Sequence, residues 1–313
     1  MSGFDVDQEM QAFIKRSESF SKDARPDDSL ETIRARYDRT AEAFARPYPP
    51  GLQAKDGVLH AQNPARELRV RCYATPDAIP GRVALFFHGG GFVLGGLDSH
   101  DSVCADLAAG AEVAVVALDY RLSPEHVYPA ALDDAEAAYD DLIDSGQAVI
   151  LVGDSAGATL AVALCHRLRR LGKPMPWAQV LIYPMLHPDP GRAKGGPNEN
   201  APMLTAAALS SFRGFYTGGD VSVTRDPELA PLASLDVAGF PPAALFPAQH
   251  DPLCDDAAEY AAALREAGIH VTLHSGEGLV HAYLRGRANS ERIATAFSEI
   301  VSSLQRLAHS GRV

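Results

Sequence analysis

The segment Gly153-Asp154-Ser155-Ala156-Gly157 follows the apolar run Val149-Ile150-Leu151-Val152 and precedes an alanine-rich stretch from Ala158 to Arg170. Within and just beyond that stretch, Leu160, Leu164, Leu168 and Leu171 recur at helical spacing. A short strand running through one tight turn into a helix is the repeating unit of α/β folds. The glycines two residues either side of Ser155 let the chain pass the turn without a side-chain clash. A serine at such an apex stands clear of the sheet, where a neighbouring base can activate its otherwise weak hydroxyl nucleophile. The competing reading is an ordinary glycine-flanked turn, and it gives way only if partner residues follow.

The first partner is His88-Gly89-Gly90-Gly91, directly after the continuous apolar run Val83 to Phe87. Successive glycines leave backbone N–H groups unshielded, and acyl transfer needs such donors where the tetrahedral intermediate carries negative charge. Gly89 and Gly90 are expected on one side of that oxyanion hole and Ala156 on the other. A phosphate cradle is disfavoured, because neither G-x-x-x-x-G-K-[ST] nor G-x-G-x-x-G lies there.

A base and an acid should then follow the serine in the order Ser, Asp or Glu, His. Of the 11 histidines, His281 lies on the glycine-rich loop Gly276-Glu277-Gly278-Leu279-Val280, beyond the strand-like Ile269 to Leu273. His270 and His274 fall within that strand and should face solvent or the layer interface. Asp251 follows the short strand Ala243 to Phe246. Asp255 and Asp256 lie where the next helix begins, and acids in a first helical turn are accounted for by the helix dipole alone.

These segments resemble the hormone-sensitive-lipase-like esterases, a branch of the α/β-hydrolases. The likeness runs through His88-Gly89-Gly90-Gly91-Phe92, Asp119 to Glu125, Gly153 to Gly157, Leu181-Ile182-Tyr183-Pro184, Asp251 to Asp255 and His281-Ala282-Tyr283. The resemblance implies Ser155 as nucleophile, His281 as base and Asp251 as the acid that orients it, the same three residues reached above. It implies an α/β-hydrolase fold, a mostly parallel central sheet flanked by helices, with a helical cap. It also implies a serine carboxylesterase acting on small, short-chain acyl esters. Ala158 stands where the family usually has another glycine. The same triad would serve an amide or carbamate hydrolase, and a small-molecule receptor on a hydrolase scaffold is the alternative from another class.

At 313 residues the chain can hold one α/β domain and an appended cap. Residues 1–50 carry two helical patterns, Asp5 to Phe20 and Asp28 to Phe44, which by themselves fit a pair of surface helices and which the resemblance implies are a cap segment. The catalytic domain is expected over 51–313, with 186–224 contributing to the cap through a mobile loop, Pro188 to Asn200, and a helix bearing Phe212, Phe215 and Tyr216. Core strands are expected at Val83–Phe87, Val113–Leu118, Val149–Val152, Val180–Ile182, Ala243–Phe246 and Ile269–Leu273, with an antiparallel element at Arg69–Ala74.

A net charge of −12 argues against a nucleic-acid footprint. The basic run Arg167-Leu168-Arg169-Arg170 suits a helix C-terminus. Four cysteines without a C-x-x-C pair predict neither a zinc site nor a disulfide framework, and they suggest a reducing compartment. No cofactor or metal is expected. The polar, acidic opening Met1 to Asp7 is unlike a signal peptide, and no run has the length to cross a bilayer, so a cytoplasmic protein without membrane insertion is expected. The expected partner is the ester substrate, and a homodimer is left open.

Overall fold

The structure, a computed structural model, describes residues 3–25, 27–62, 64–220 and 222–310. Met1 and Ser2 of the polar opening, and isolated positions of the expected cap and catalytic segments, lie outside them. Among the described residues, eight strands form one sheet in the order β1-β2-β4-β3-β5-β6-β7-β8. The strands are β1 (Gln53–Gln62), β2 (Ala65–Ala74), β3 (Arg82–Phe87), β4 (Ala114–Leu118), β5 (Ala148–Asp154), β6 (Ala178–Ile182), β7 (Ala243–Phe246) and β8 (Val271–Leu273). The pairs β1–β2 and β2–β4 are antiparallel. All pairs from β4 through β3, β5, β6 and β7 to β8 are parallel.

The central strands are continuous apolar runs because both faces are covered. On one face, Val83, Leu85, Phe87, Leu151, Leu181 and Leu245 pack with α4 (Ala130–Asp144), α5 (Ala156–Leu171) and α7 (Asp256–Glu266). On the other, Ala84, Phe86, Ile150, Val152, Val180 and Phe246 pack with α3 (Asp101–Ala111) and α8 (Glu291–His309). Alternate residues of one strand thus feed two cores, each fully buried large apolar side chain contributing roughly 1.5–3 kcal/mol.

The N-terminal helices divide. α1 (Gln8–Ser19), capped by Asp7 through the Met10 N–H, buries Met10, Phe13 and Ile14 in the same core as Tyr283, Leu284 and Ile293. α2 (Leu30–Ala43) lies over the glycine loop: Arg34 pairs with Glu125 at 2.7 Å and donates to the Val93 and Ser123 carbonyls. α6 (Ala206–Thr217), capped by Thr205, also lies on that loop, with the Phe212 ring against Gly91 and Tyr216 stacked on Phe92 at 3.7 Å. The Pro188 to Asn200 loop is anchored: Arg192 pairs with Asp256 and Asn198 donates to the Gln249 carbonyl.

Candidate active site

β5 delivers Ser155 to the turn that opens α5, with backbone angles φ +53° and ψ −120°. A non-glycine residue with positive φ is strained, and such strain persists only where the surroundings fix it. The flanking backbones press together. A Cβ on Gly153 would lie 2.7 Å from the Ala158 nitrogen, and one on Gly157 would run into the Phe87 carbonyl. The Ser155 N–H donates to Ile182 O at 2.9 Å, tying the apex to the neighbouring strand β6.

The loop after β8 brings His281 to Ser155. Their Nε2 and Oγ atoms are 3.0 Å apart, and His281 Nδ1–H donates to Asp251 Oδ2 at 2.6 Å. Asp251 is fully buried, and its other oxygen accepts the Leu253 N–H at 2.9 Å. The loop is held by a parallel bridge between His250 and Val280 and by the Gly278 N–H donating to Gln249 Oε1 at 2.7 Å. The Tyr183 ring lies 4.6 Å from that of His281 and limits its tilt. Hydroxyl, imidazole and carboxylate therefore form one hydrogen-bonded line, able to move a proton off the serine and to hold the resulting imidazolium.

Gly89 departs from the expected oxyanion role. Its N–H donates to Asp154 Oδ1 at 2.8 Å and is not left over for a substrate. Gly90 and Gly91, both at positive φ, and Ala156 at the first position of α5 carry N–H groups that meet no acceptor among the described residues. The three amides open to an oxyanion are thus those of Gly90, Gly91 and Ala156. Side chains are excluded at both glycines, since a Cβ on Gly90 would lie 2.7 Å from the Leu94 carbonyl carbon and one on Gly91 would enter the Phe212 ring.

Behind the loop sits a buried polar cluster that sequence reasoning missed. Asp154 also meets His100 Nε2 at 3.3 Å and accepts the Tyr183 hydroxyl at 3.3 Å. Burial alone would raise its carboxyl, but His100 and the Gly89 N–H outweigh that and hold it below the usual range. His88 stacks on Tyr120 at 4.3 Å and donates from Nδ1 to Gly89 O at 2.8 Å. Burial and then the neighbouring His100 lower His88 to about 4, so it stays neutral. The one sequence signal for this cluster was an acid placed immediately before the serine.

Two further readings, those of Asp256 and Arg167, need correction. Asp256 is not a surface charge of a helical first turn: it is fully buried, accepts the Leu186 and His187 N–H groups at 2.7 and 2.9 Å, and pairs with Arg192 at 3.1 Å. Asp255, by contrast, is exposed at the helix N-cap as expected. His250 is buried, with Nε2 bonded to the Asp5 carbonyl and its ring edge-on to Phe4 at 5.4 Å. Arg167 is a buried ion-pair centre reaching Glu228 at 2.8 Å and Asp133 at 2.5 Å. His270 and His274 flank β8, and His274 stacks on Phe246 while bonding Glu299 at 3.0 Å, as expected for the layer interface. Among the described residues, no three His, Cys, Asp or Glu side chains gather as metal ligands.

Comparison with known proteins agrees with this architecture. The profile of the alpha/beta hydrolase fold family matches residues 84–285. The chain is 37% identical to Esterase LipI of Mycobacterium tuberculosis over 269 residues, 82% of each chain. It is 35% identical to an ethyl acetate hydrolase of Pseudomonas putida over 253 residues, 76% of this chain and 78% of that one. A solved esterase of the bacterial hormone-sensitive lipase family superposes with a TM-score of 0.86 at 25% identity, covering 96% of this chain and 99% of its own. The chain belongs to the alpha/beta hydrolase fold family, in its hormone-sensitive-lipase-like branch of esterases.

Proposed function

We propose that the protein is a serine carboxylesterase that hydrolyses small, short-chain acyl esters through an acyl-enzyme. The observation that carries this reading is the line Ser155 Oγ, His281, Asp251, with its contacts of 3.0 and 2.6 Å. His281 Nε2 takes the Ser155 proton as Oγ attacks the ester carbonyl. The tetrahedral oxyanion is held by the N–H groups of Ala156, Gly90 and Gly91. His281 then hands the proton to the departing alkoxide, and the alcohol leaves. A water deprotonated by the same imidazole attacks the acyl-enzyme, the acid is released and Ser155 regains its proton. Asp251 keeps the histidine in the tautomer that presents a bare Nε2 to the serine.

In this reading α2 and α6 act as the cap, with the Phe212 ring against Gly91 of the glycine loop. The ethyl acetate hydrolase among the relatives supports a small substrate. The cytoplasm is the proposed compartment, in keeping with four free cysteines, Cys72, Cys104, Cys165 and Cys254. Among the described residues, no helix is long and apolar enough to cross a membrane.

A p-nitrophenyl ester series from acetate to palmitate tests the reading. Turnover should be highest on the short esters and decline beyond about six to eight acyl carbons as the acyl pocket fills. A maximum on long-chain emulsified esters would overturn it.

A further inference from the structure

The backbone leading into Asp251 and the loop leading into His281 are joined residue by residue just ahead of the triad. The Gln249 N–H donates to the Gly276 carbonyl at 3.0 Å, and Gln249 Oε1 accepts the Gly278 N–H at 2.7 Å. The His250 N–H donates to the Leu279 carbonyl at 2.9 Å. A Cβ on Gly276, at φ +66°, would run into the Pro247 carbonyl, so the two backbones are in contact here. A parallel bridge then pairs His250 with Val280. The next residue on each side is a member of the triad, so this register sets Asp251 and His281 side by side for their 2.6 Å hydrogen bond.

Side chains alternate along extended backbone, so His250 faces away from His281 when Asp251 faces it. The His250 ring is 8% exposed and meets residues 4–7. A carbonyl only accepts, so His250 Nε2–H is the donor to the Asp5 carbonyl at 3.0 Å, and the Phe4 ring lies edge-on to the imidazole at 5.4 Å. The same short segment also grips the base loop. Val6 is buried in one core with Leu279 and Val280. Asp7 caps α1 through the Met10 N–H at 2.8 Å and pairs with Arg292 at 2.9 Å, and Arg292 Nη1 donates to the Glu277 carbonyl at 3.1 Å. The Asp7–Arg292 pair is partly exposed and contributes little alone. His250 is therefore the buried polar link between residues 4–7 and the acid.

We infer that His250 is a positioning residue for ester hydrolysis, linking residues 4–7 to the paired backbones that set the Asp251–His281 hydrogen bond. The inference rests on the esterase reading above. His250 touches neither substrate nor reacting atoms and acts through its neighbour Asp251. Without its donor, the bridge to Val280 is no longer backed from outside, and His281 is presented to Ser155 over a wider range of angles. A misplacement of about 1 Å at reacting groups costs as much as about 10²-fold in rate.

The test measures kcat and KM on p-nitrophenyl acetate for the wild type, His250→Phe, His250→Gln and Phe4→Ala, each well below its own thermal unfolding midpoint. His250→Phe keeps a ring against Phe4 and removes the donor. Its kcat should fall by about tenfold with KM within about twofold, the pattern of an interaction that serves only the transition state. His250→Gln, whose amide N–H can stand where Nε2–H stood, should recover kcat to within about threefold of wild type. Phe4→Ala, which removes the ring contact and leaves the hydrogen bond, should fall between wild type and His250→Phe. A lowered unfolding midpoint with unchanged kcat in His250→Phe, or a His250→Gln as slow as His250→Phe, would overturn the inference. If His250→Phe does not fold, Phe4→Ala decides: a reduced kcat at unchanged KM supports the inference, and a kcat equal to wild type overturns it. A wild type that turns over neither this ester nor any other short ester sinks the esterase reading instead.

Discussion

The Asp154 carboxylate and the Gly89 N–H, 65 residues apart in sequence, are joined by a hydrogen bond of 2.8 Å. The residue that precedes Ser155 therefore ties down the glycine loop proposed to carry the oxyanion donors. One buried acid, supported by His100 and the Tyr183 hydroxyl, links the proposed nucleophile to the proposed oxyanion hole. Pre-set donors act without reorganisation during the reaction, which is where such a brace would contribute.

Replacing Asp154 with Ala removes the acceptor for Gly89 and leaves the His100 and Tyr183 donors unpaired. We expect kcat to fall by about 10- to 100-fold, with a smaller change in KM, because the loop donors shift from where charge develops. Stability should also fall by roughly 2–4 kcal/mol. Because the folded pKa lies below the ordinary value, this contribution is present above the ordinary carboxylate range and is lost as pH drops through the folded value. Steady-state kinetics and urea titrations check both expectations, and a kcat within twofold of wild type would refute the positioning role.

Asp251 and Asp255 should separate by activity. Asp251→Asn keeps shape but sets the wrong His281 tautomer, for an expected loss on the order of 10⁴ in kcat. Asp255 is exposed at the N-cap of α7, so Asp255→Asn should leave turnover near wild type. Parallel kcat measurements on the two variants check this, and comparable losses in both would be inconsistent with a single orienting acid.

Asp256 should act on stability. Its pKa is raised to about 6, chiefly by burial, against the lowering influence of the His187 and Leu186 amides and Arg192. The protonated form is thus favoured in the folded state. The stabilisation linked to that proton is complete below the unfolded carboxylate range and disappears as pH rises through about 6. Relative to Asp256→Asn, which cannot titrate, the wild type should lose stability between about pH 4 and pH 6 and then level off. Asp256→Ala, which strands two amides and Arg192, should cost roughly 3 kcal/mol. Denaturant midpoints at successive pH values give both numbers, and a pH-independent difference between wild type and Asp256→Asn would contradict the assignment.

The strands β3 to β7 were legible because both faces are buried, so each reads as an apolar run with no ambiguity of face. β1 was not. Its sequence, Gln53 to Gln62, is mostly exposed and lacks alternation, and it is a strand because it pairs with β2, whose partners the local pattern does not reveal. The same division holds at the site. Ser155, His281 and Asp251 announced themselves through local context, an elbow, a glycine loop and a strand end. The Gly89 correction came from a contact across 65 residues, and the roles of Asp256 and His250 came from backbone groups of Leu186, His187 and Asp5 that pack over them. A helix-start acid and a loop histidine look alike in sequence whether they face water or a buried amide. Arg167 is similar: its run fits a helix end, but Glu228 and Asp133 arrive from other segments to bury it.

The central claim is that Ser155 is the nucleophile of ester hydrolysis. It is tested most directly by reacting the protein with a p-nitrophenyl alkylphosphonate and mapping the adduct by peptide mass spectrometry. The account predicts one phosphonyl group per chain, on the peptide containing Ser155, with ester turnover lost in step with labelling and no labelling of Ser155→Ala. Complete inactivation with the adduct on another residue, or a Ser155→Ala variant that still turns over short-chain esters, would contradict it.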